Sequence, residues 1–113
     1  MRDDRLYLIH IGECIERIER YTASGQTAFQ ADTLIQDAVL RNLHTLTEST
    51  QHISDSLKAA HPEVEWREIA QFRNVVVHDY LGIDVARVWD IVLHDLPELK
   101  RSVAAMLKEL EIE

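Results

Sequence analysis

The chain has 113 residues and a formal charge of −8, a length that suits one domain and is too short for two. Its three glycines and two prolines leave few places to turn, which excludes most all-β architectures. The negative charge argues against non-specific binding to nucleic acid, so any contact with RNA has to be local.

The sequence contains no signal for a membrane or for export. No apolar run reaches the roughly 18 residues of a membrane span, and Met1 to Asp4 lack the apolar core of a signal peptide. One cysteine, Cys14, cannot close a disulfide within the chain, which fits a reducing compartment. We expect a cytoplasmic protein with no membrane partner, and we interpret Cys14 as a small helix residue rather than a reactive thiol.

The first helix is predicted from about Asp3 to Ala23. Its apolar residues step by three or four positions, which is the spacing of one helical face: Leu8, Ile11, Ile15 and Ile18. The segment from Thr22 to Ala31 is polar and has no such pattern, so it is predicted to be a loop.

Asp32 is a suitable N-cap for a second helix, because its side chain can accept from an unpaired amide of the first turn. The apolar period continues to about Ala60, which predicts a helix of about 40 Å. His61 and Pro62 should end it.

A third helix is predicted through the motif of residues 73–80, with Gly82 in the left-handed position at its end and Ile83 packing back. Its apolar positions are Trp66, Ile69, Phe72, Val76 and Tyr80. We interpret Trp66 and Trp89 as core residues.

Asp84 can cap a fourth helix, whose apolar stripe runs from Val88 to Leu110. Pro97 lacks an amide proton, so this helix should kink or break near Asp95 and Leu96. Four amphipathic helices with short connections predict one all-α domain over residues 1–113, an up-and-down four-helix bundle with a broken last helix. The long stripes on the second and fourth helices predict a homodimer.

The residues able to do chemistry are concentrated in residues 73–80, with the sequence RNVVVHDY. Three consecutive valines are poor residues for an exposed helix, so the segment should be buried. At about 100° per residue, Arg73 and Tyr80 share one helical face and Asn74 and His78 another. Arg73 and His78 can therefore act together only if the helix is distorted near His78 or if two copies of the motif meet.

Arg73 and His78 are suited to metal-free cleavage of RNA. A histidine can take the proton from a ribose 2′-hydroxyl, and a guanidinium can hold the phosphate and stabilise its charge in the transition state. The product would be a 2′,3′-cyclic phosphate, and DNA, which lacks the 2′-hydroxyl, should resist.

The pattern Arg-Asn-x3-His-x-Tyr resembles the Arg-x4-6-His signature of HEPN domains, and its His-x-Tyr ending resembles the HepT subgroup. Flanking segments are also similar: residues 38–43 (AVLRNL), 61–69 (HPEVEWREI), 88–92 (VWDIV) and 95–97 (DLP). Family members often have Gly-Glu-Ala where this chain has Thr47-Glu48-Ser49.

The resemblance implies a bacterial or archaeal ribonuclease toxin that dimerises to bring its two motifs into one cleft and needs no cofactor. Arg73 and His78 would be catalytic, with Asn74 assisting. The antitoxin would be a MntA-like nucleotidyltransferase that transfers AMP to Tyr80, since phosphate charge and adenosine bulk there would keep an RNA phosphate away. Glu48 is a candidate partner for His78 or Arg73 across the bundle.

Other interpretations remain open. Arg73 could merely close a helix end, or the protein could be a non-catalytic dimer that binds a nucleotidyltransferase. His44, Glu48 and His52 have a spacing compatible with a metal site, although they spread along roughly 12 Å of helix axis. The dipeptides His78-Asp79 and His94-Asp95 are found in metal-dependent phosphohydrolases, but the other ligands of such enzymes are not evident here.

Overall fold

The computed structural model describes residues 2–77 and 82–112, and most of these residues are helical. The helices are α1 (Arg2–Tyr21), α2 (Gln26–Ala31), α3 (Thr33–Gln51), α4 (Asp55–Ala60), α5 (Trp66–Ala70), α6 (Val85–Asp90) and α7 (Leu96–Ile112), with a π-helical turn at Ile91–Asp95. Two short strands, β1 (Val76–Val77) and β2 (Gly82–Ile83), pair antiparallel. The all-α prediction is confirmed.

The long helix α1 lies at the centre and packs against both α3 and α7. Its apolar stripe, Leu8, Ile11, Ile15 and Ile18, is fully buried, as the sequence predicts. Cys14 is buried in the same core, and this burial raises the pKa of its thiol, which fits a packing residue. Trp66 and Trp89 are half-buried and pack against the core.

The predicted loop from Thr22 to Ala31 is wrong in its second half, because Gln26–Ala31 forms helix α2. Gly25 makes the turn into it with a φ of 95°, a conformation that glycine adopts readily. Phe29 is buried, and its ring lies 5.4 Å from that of Trp89. A helix of six residues held by one aromatic has too few turns to show a period.

The second helix begins as predicted and ends early. Asp32 Oδ1 accepts from the amide of Leu34 at 2.9 Å, which confirms the N-cap. The helix then ends at Gln51 rather than near Ala60, and a separate helix α4 follows. Ser54 causes the break, because its hydroxyl caps α4 by accepting from the amide of Leu57 and binds Asp4 of α1.

The predicted third helix is wrong beyond Ala70, where α5 ends. The valines lead into β1, with Val76 opposite Ile83 and Val77 opposite Gly82. Branched side chains favour an extended strand, which explains the valine run better than a buried helix does. Gly82 lies in a strand rather than in the left-handed position predicted for it; among the described glycines only Gly25 has a positive φ.

The fourth helix is broken where Pro97 predicts. Asp84 Oδ1 accepts from the amide of Arg87 at 3.0 Å, which confirms this cap as well. The amide of Leu96 donates to the carbonyl of Ile91, five residues back, which is a π-helical hydrogen bond. This wider turn lies directly before Pro97, which has no amide proton to donate. The predicted count of four bundle helices is not confirmed, since a five-residue helix and a hairpin stand where the third was expected.

Candidate active site around Arg73

Arg73 and Asn74 lie in the turn between α5 and β1, and both are exposed. The residues on either side are buried: Phe72 is 2% exposed and Val75 is 3% exposed. Two apolar anchors therefore fix the short segment that carries the guanidinium and the amide to the surface.

Backbone hydrogen bonds hold this turn on both sides. The amide of Asn74 donates to the carbonyl of Gln71 at 2.8 Å, and the amide of Phe72 donates to that of Ile69 at 3.0 Å. The carbonyl of Val75 accepts from the amide of Asp84 at 2.6 Å, which ties the segment to the residue that caps α6. These bonds fix the backbone that carries Arg73 and Asn74.

Helix α5 is itself tied to the rest of the fold. The hydroxyl of Thr47, on α3, lies 3.4 Å from the carbonyl of Ile69. The indole of Trp66 donates to the carbonyl of His61 at 3.0 Å. The imidazole of His61 lies between Glu63, at 3.0 Å, and Glu109 of α7, at 2.9 Å. The segment that precedes Arg73 is thus connected to both α3 and α7.

His78 and Tyr80, predicted from the sequence to be the catalytic histidine and the AMP acceptor, lie outside the described residues. The residues on either side of that interval, Val77 and Gly82, are paired across the two strands. Because α5 ends before Arg73, the helical-face comparison of Arg73 with His78 does not apply. The chain leaves the helix after Ala70, before the whole motif begins.

The guanidinium of Arg73 has no carboxylate within ion-pairing distance among the described side chains, although the protein is acidic. A carboxylate partner would compete with a phosphate for a guanidinium. None of the described carboxylates does so at Arg73.

An acidic pocket of about 200 Å³ lies beside the turn, lined in part by Phe72. Its floor is apolar, and its rim carries five carboxylates: Glu63, Glu65, Glu68, Asp95 and Glu98. Burial raises the pKa of Asp95; Arg87 opposes this, and nearby Asp90, Glu68 and Glu98 add to it. The surface next to Arg73 is thus strongly negative, which would repel a phosphate chain from that side.

Glu48, predicted as a partner of the motif, is exposed on α3 and lines a shallow depression between α1 and α3. Arg73 is not among the described residues that line it. The other lining residues are Tyr7, His10, His44, Thr45, Ser49 and His52. His44, Glu48 and His52 do share this surface, as their spacing predicts, but among the described residues no three His, Cys, Asp or Glu side chains could hold one metal ion.

Sequence reasoning missed the contribution of α1 to that depression. Nδ1 of His10 lies 2.8 Å from the hydroxyl of Ser49, and the ring of Tyr7 stacks on that of His52 at 5.0 Å. His10 follows Tyr7 by three positions on α1, so the two share a helical face, a signal that could have paired them. His94, of the second His-Asp dipeptide, is exposed and lies 3.6 Å from Asp90 on its own helix segment.

Comparison with known proteins identifies the family. The model of the family described as "Ribonuclease HepT-like" matches residues 11–106. The chain belongs to the HepT-like ribonuclease family. None of the helices in the described part of this HepT-like chain is long and apolar enough to cross a membrane.

Relatives with assigned names cover most of the chain. A Thermococcus cleftensis protein named "Probable ribonuclease HepT" is 39% identical over 100 residues, which are 88% of this chain and 91% of that protein. A Caldanaerobacter subterraneus protein whose name designates an RNase is 31% identical over 96% of this chain and 98% of its own length.

A third relative, from Methanocaldococcus jannaschii, is 31% identical over 97% of this chain. Its name joins a gamma-glutamylcyclotransferase to an RNase, and the HepT-like chain spans 50% of its length. No solved structure is significantly similar to this chain.

Proposed function

We propose that this HepT-like protein is a metal-independent endoribonuclease whose catalytic residues are Arg73 and His78, with Asn74 assisting. The observation that carries the proposal is the position of Arg73: it is exposed, unpaired among the described carboxylates and held by buried Phe72 and Val75, within a chain whose relatives carry ribonuclease names. An arginine that only closed a helix end would have no need of this arrangement.

The reaction divides into two proton transfers and one displacement. His78 takes the proton of a ribose 2′-hydroxyl, and the resulting oxygen attacks the adjacent phosphorus. The bond to the 5′-oxygen of the next nucleotide breaks, and that oxygen takes up a proton as it leaves. Arg73 binds the non-bridging phosphate oxygens, where negative charge builds up in the transition state. The products are a 2′,3′-cyclic phosphate and a free 5′-hydroxyl.

The proposed active form is a homodimer in which two motifs face one cleft. Large apolar side chains remain exposed on the single chain: Leu6 is 64% exposed, Leu34 77% and Leu93 54%. A second copy that covered such side chains would lower their contact with water.

In the cell, the proposed role is that of a cytoplasmic toxin neutralised by a MntA-like nucleotidyltransferase. Transfer of AMP to Tyr80, two residues after His78, would add a negative phosphate and an adenosine beside the catalytic groups. The phosphate of the transferred AMP would weaken RNA binding for as long as it stayed attached to Tyr80. This control requires no conformational change in the rest of the fold.

The experiment is RNA cleavage by purified, unmodified protein in EDTA, together with growth inhibition on expression. Arg73→Ala and His78→Ala should each abolish both effects, and Arg67→Ala, which removes an exposed arginine of α5, should retain them. Equal cleavage by wild type and His78→Ala would contradict the proposal.

A second candidate function is a non-catalytic helical dimer that binds a nucleotidyltransferase. The acidic pocket beside Phe72 favours it, since five carboxylates over an apolar floor fit a basic segment of a partner protein. That function would give a stable complex with the nucleotidyltransferase and no RNA cleavage by the free protein.

A further inference from the structure

A groove runs along the surface between α1 and α3, in the part of the chain that the structure describes. It consists of two depressions that meet at Thr45. The first is the one lined by Tyr7, His10, Glu48 and His52, and the second is lined by Arg17, Tyr21, Arg41 and Asn42. From Ala38 to His52 it follows α3 for about 20 Å. We call it the α1–α3 groove.

Two guanidiniums, those of Arg17 and Arg41, line the α1–α3 groove on a chain whose net charge is −8, against one carboxylate, that of Glu48. Three imidazoles also line it, those of His10, His44 and His52. Neither Arg17 nor Arg41 has a carboxylate within ion-pairing distance among the described side chains. Nη1 of Arg17 lies 3.5 Å from the amide oxygen of Asn42, which orients the guanidinium without neutralising it.

Aromatic rings stand at both ends of the groove. Tyr7 stacks on His52 at an angle of 15° between the rings, and Tyr21 is half-buried beside Arg17 and Arg41. Unpaired cations that follow a groove, together with rings on which bases can stack, are the combination that binds single-stranded nucleic acid. The hydroxyl of Thr45 donates to the carbonyl of Arg41 at 2.9 Å, and that of Ser49 lies 2.8 Å from Nδ1 of His10, so both are held within the protein.

The contact between α3 and α5 limits how far the groove lies from the proposed active site. The hydroxyl of Thr47, on the same helix as the groove residues, lies 3.4 Å from the carbonyl of Ile69. Arg73 follows Ile69 by four positions, which span at most about 14 Å, so the backbone of Arg73 lies within roughly 23 Å of that of Thr47. Thr47 and the groove residues Thr45 and Ser49 lie on opposite faces of α3, so a bound strand would pass around this helix between the groove and Arg73.

We propose that the α1–α3 groove binds the single-stranded RNA that flanks the cleaved bond, with Arg17 and Arg41 on its phosphates and the Tyr7–His52 pair beneath its bases. The proposal rests on the ribonuclease function above and adds to it a second RNA contact, away from the motif. It accounts for how an acidic protein retains RNA: the strand follows a local path of unpaired cations, on a face other than the acidic pocket.

The test measures the binding of a fluorescent single-stranded RNA in which every 2′-hydroxyl is methylated, so that it cannot be cleaved. Fluorescence anisotropy compares the full-length wild type with Arg41→Gln and with Arg17→Gln/Arg41→Gln. We expect the double variant to bind about tenfold more weakly or worse, and the slope of log K against log salt to become shallower by about 1.4. Arg41 is exposed, so Arg41→Gln should leave the fold intact. This single variant therefore tests the proposal even if the double variant does not fold.

The matched control is Arg101→Gln/Lys108→Gln, which removes the same charge from exposed positions of α7. Equal weakening by this control would overturn the proposal, because the effect would then follow net charge alone. Unchanged binding by both groove variants would also overturn it. A change of oligomeric state in Arg41→Gln, measured by sedimentation, with unchanged RNA binding would instead make the groove an interface between copies.

Cleavage of ordinary RNA by the same preparations separates this proposal from the ribonuclease function. If wild type cleaves and the groove variants show a higher KM than the control, both proposals are supported. If wild type cleaves while the groove variants match the control in KM, only the groove proposal fails. If wild type binds methylated RNA through Arg41 but cleaves nothing, the ribonuclease function fails and the groove remains an RNA site.

Discussion

The carboxylate of Asp4, near the start of α1, accepts hydrogen bonds from both the amide and the hydroxyl of Ser54, at 2.8 and 2.6 Å. Fifty residues separate the two in sequence. Asp4 is 3% exposed, and the same hydroxyl of Ser54 caps α4. This pair sets where α3 ends and where the chain turns towards α5, so it positions the segment that leads to Arg73.

Asp4→Asn should therefore destabilise the fold. The amide can keep one of the two hydrogen bonds but loses their charge-assisted character, so the free energy of unfolding should fall by about 1–3 kcal/mol. Urea denaturation followed by circular dichroism measures this. Asp37→Asn, at an exposed position of α3, is the control and should change little. Equal midpoints for the two variants would show that the Asp4–Ser54 pair does not stabilise the break.

The two glycines Gly25 and Gly82 should respond in opposite ways to substitution by valine. Gly82 lies in a strand, and none of the described residues has an atom within 4 Å of an added Cβ, so Gly82→Val should change the free energy of unfolding by less than about 0.5 kcal/mol or stabilise the fold. Gly25 has a φ of 95°, so Gly25→Val should cost more than about 1 kcal/mol.

Thermal or urea unfolding of the two valine variants measures the difference. A cost at Gly82 as large as that at Gly25 would support the left-handed helix end that the sequence suggests and contradict the hairpin.

The carboxyl group of Asp95 should make stability decrease as pH rises. Burial raises its folded-state pKa above its ordinary value, so the folded state holds the proton more tightly than the unfolded state does. The favourable contribution is complete below the unfolded pKa and is lost as pH rises through the folded pKa.

Asp95→Asn, which cannot ionise, should thus match or exceed the wild type in stability at pH 7, and its advantage should disappear near pH 3. Urea midpoints at the two pH values test this. An advantage that grew towards low pH would contradict the sign.

Arg73→Lys should separate a catalytic role from a structural one. The side chain is exposed, so the free energy of unfolding should change by no more than about 0.5 kcal/mol. A lysine cannot hold a phosphate through two parallel hydrogen bonds, and kcat should fall by about a hundredfold. Matched measurements on Arg67→Lys provide the control. A loss of stability with unchanged kcat would make Arg73 a residue that only closes the turn.

The long helices and their starts could be predicted because the signals are local. The stripe of Leu8, Ile11, Ile15 and Ile18 defines a buried face by spacing alone. Asp32 and Asp84 each cap the helix that follows by accepting from an amide two or three residues further along. The break near Pro97 follows from one missing amide proton. These features need no knowledge of the rest of the fold.

The errors come from interactions between distant parts of the chain. The apolar period continues through Ile53 and Leu57, so it gives no sign that Ser54 is held by Asp4. The valine run could be buried in a helix or extended in a strand, and the antiparallel pairing with Gly82 and Ile83 decides for the strand.

The candidate site was predictable only in its residue types. The sequence supplies Arg73, Asn74, His78 and Tyr80 through the motif, while the anchored turn that holds Arg73 depends on the packing of Phe72 and Val75. In the α1–α3 groove, the spacing of His44, Glu48 and His52 is visible in the sequence. Tyr7 and His10 join them only because α1 packs beside α3.

The most direct measurement of the central claim is mass spectrometry of the RNA ends produced in EDTA by unmodified protein. The proposed reaction predicts 2′,3′-cyclic phosphate and 5′-hydroxyl ends from wild type and intact RNA with His78→Ala. Ends that carry a 5′-phosphate, or the same fragments from His78→Ala, would contradict it.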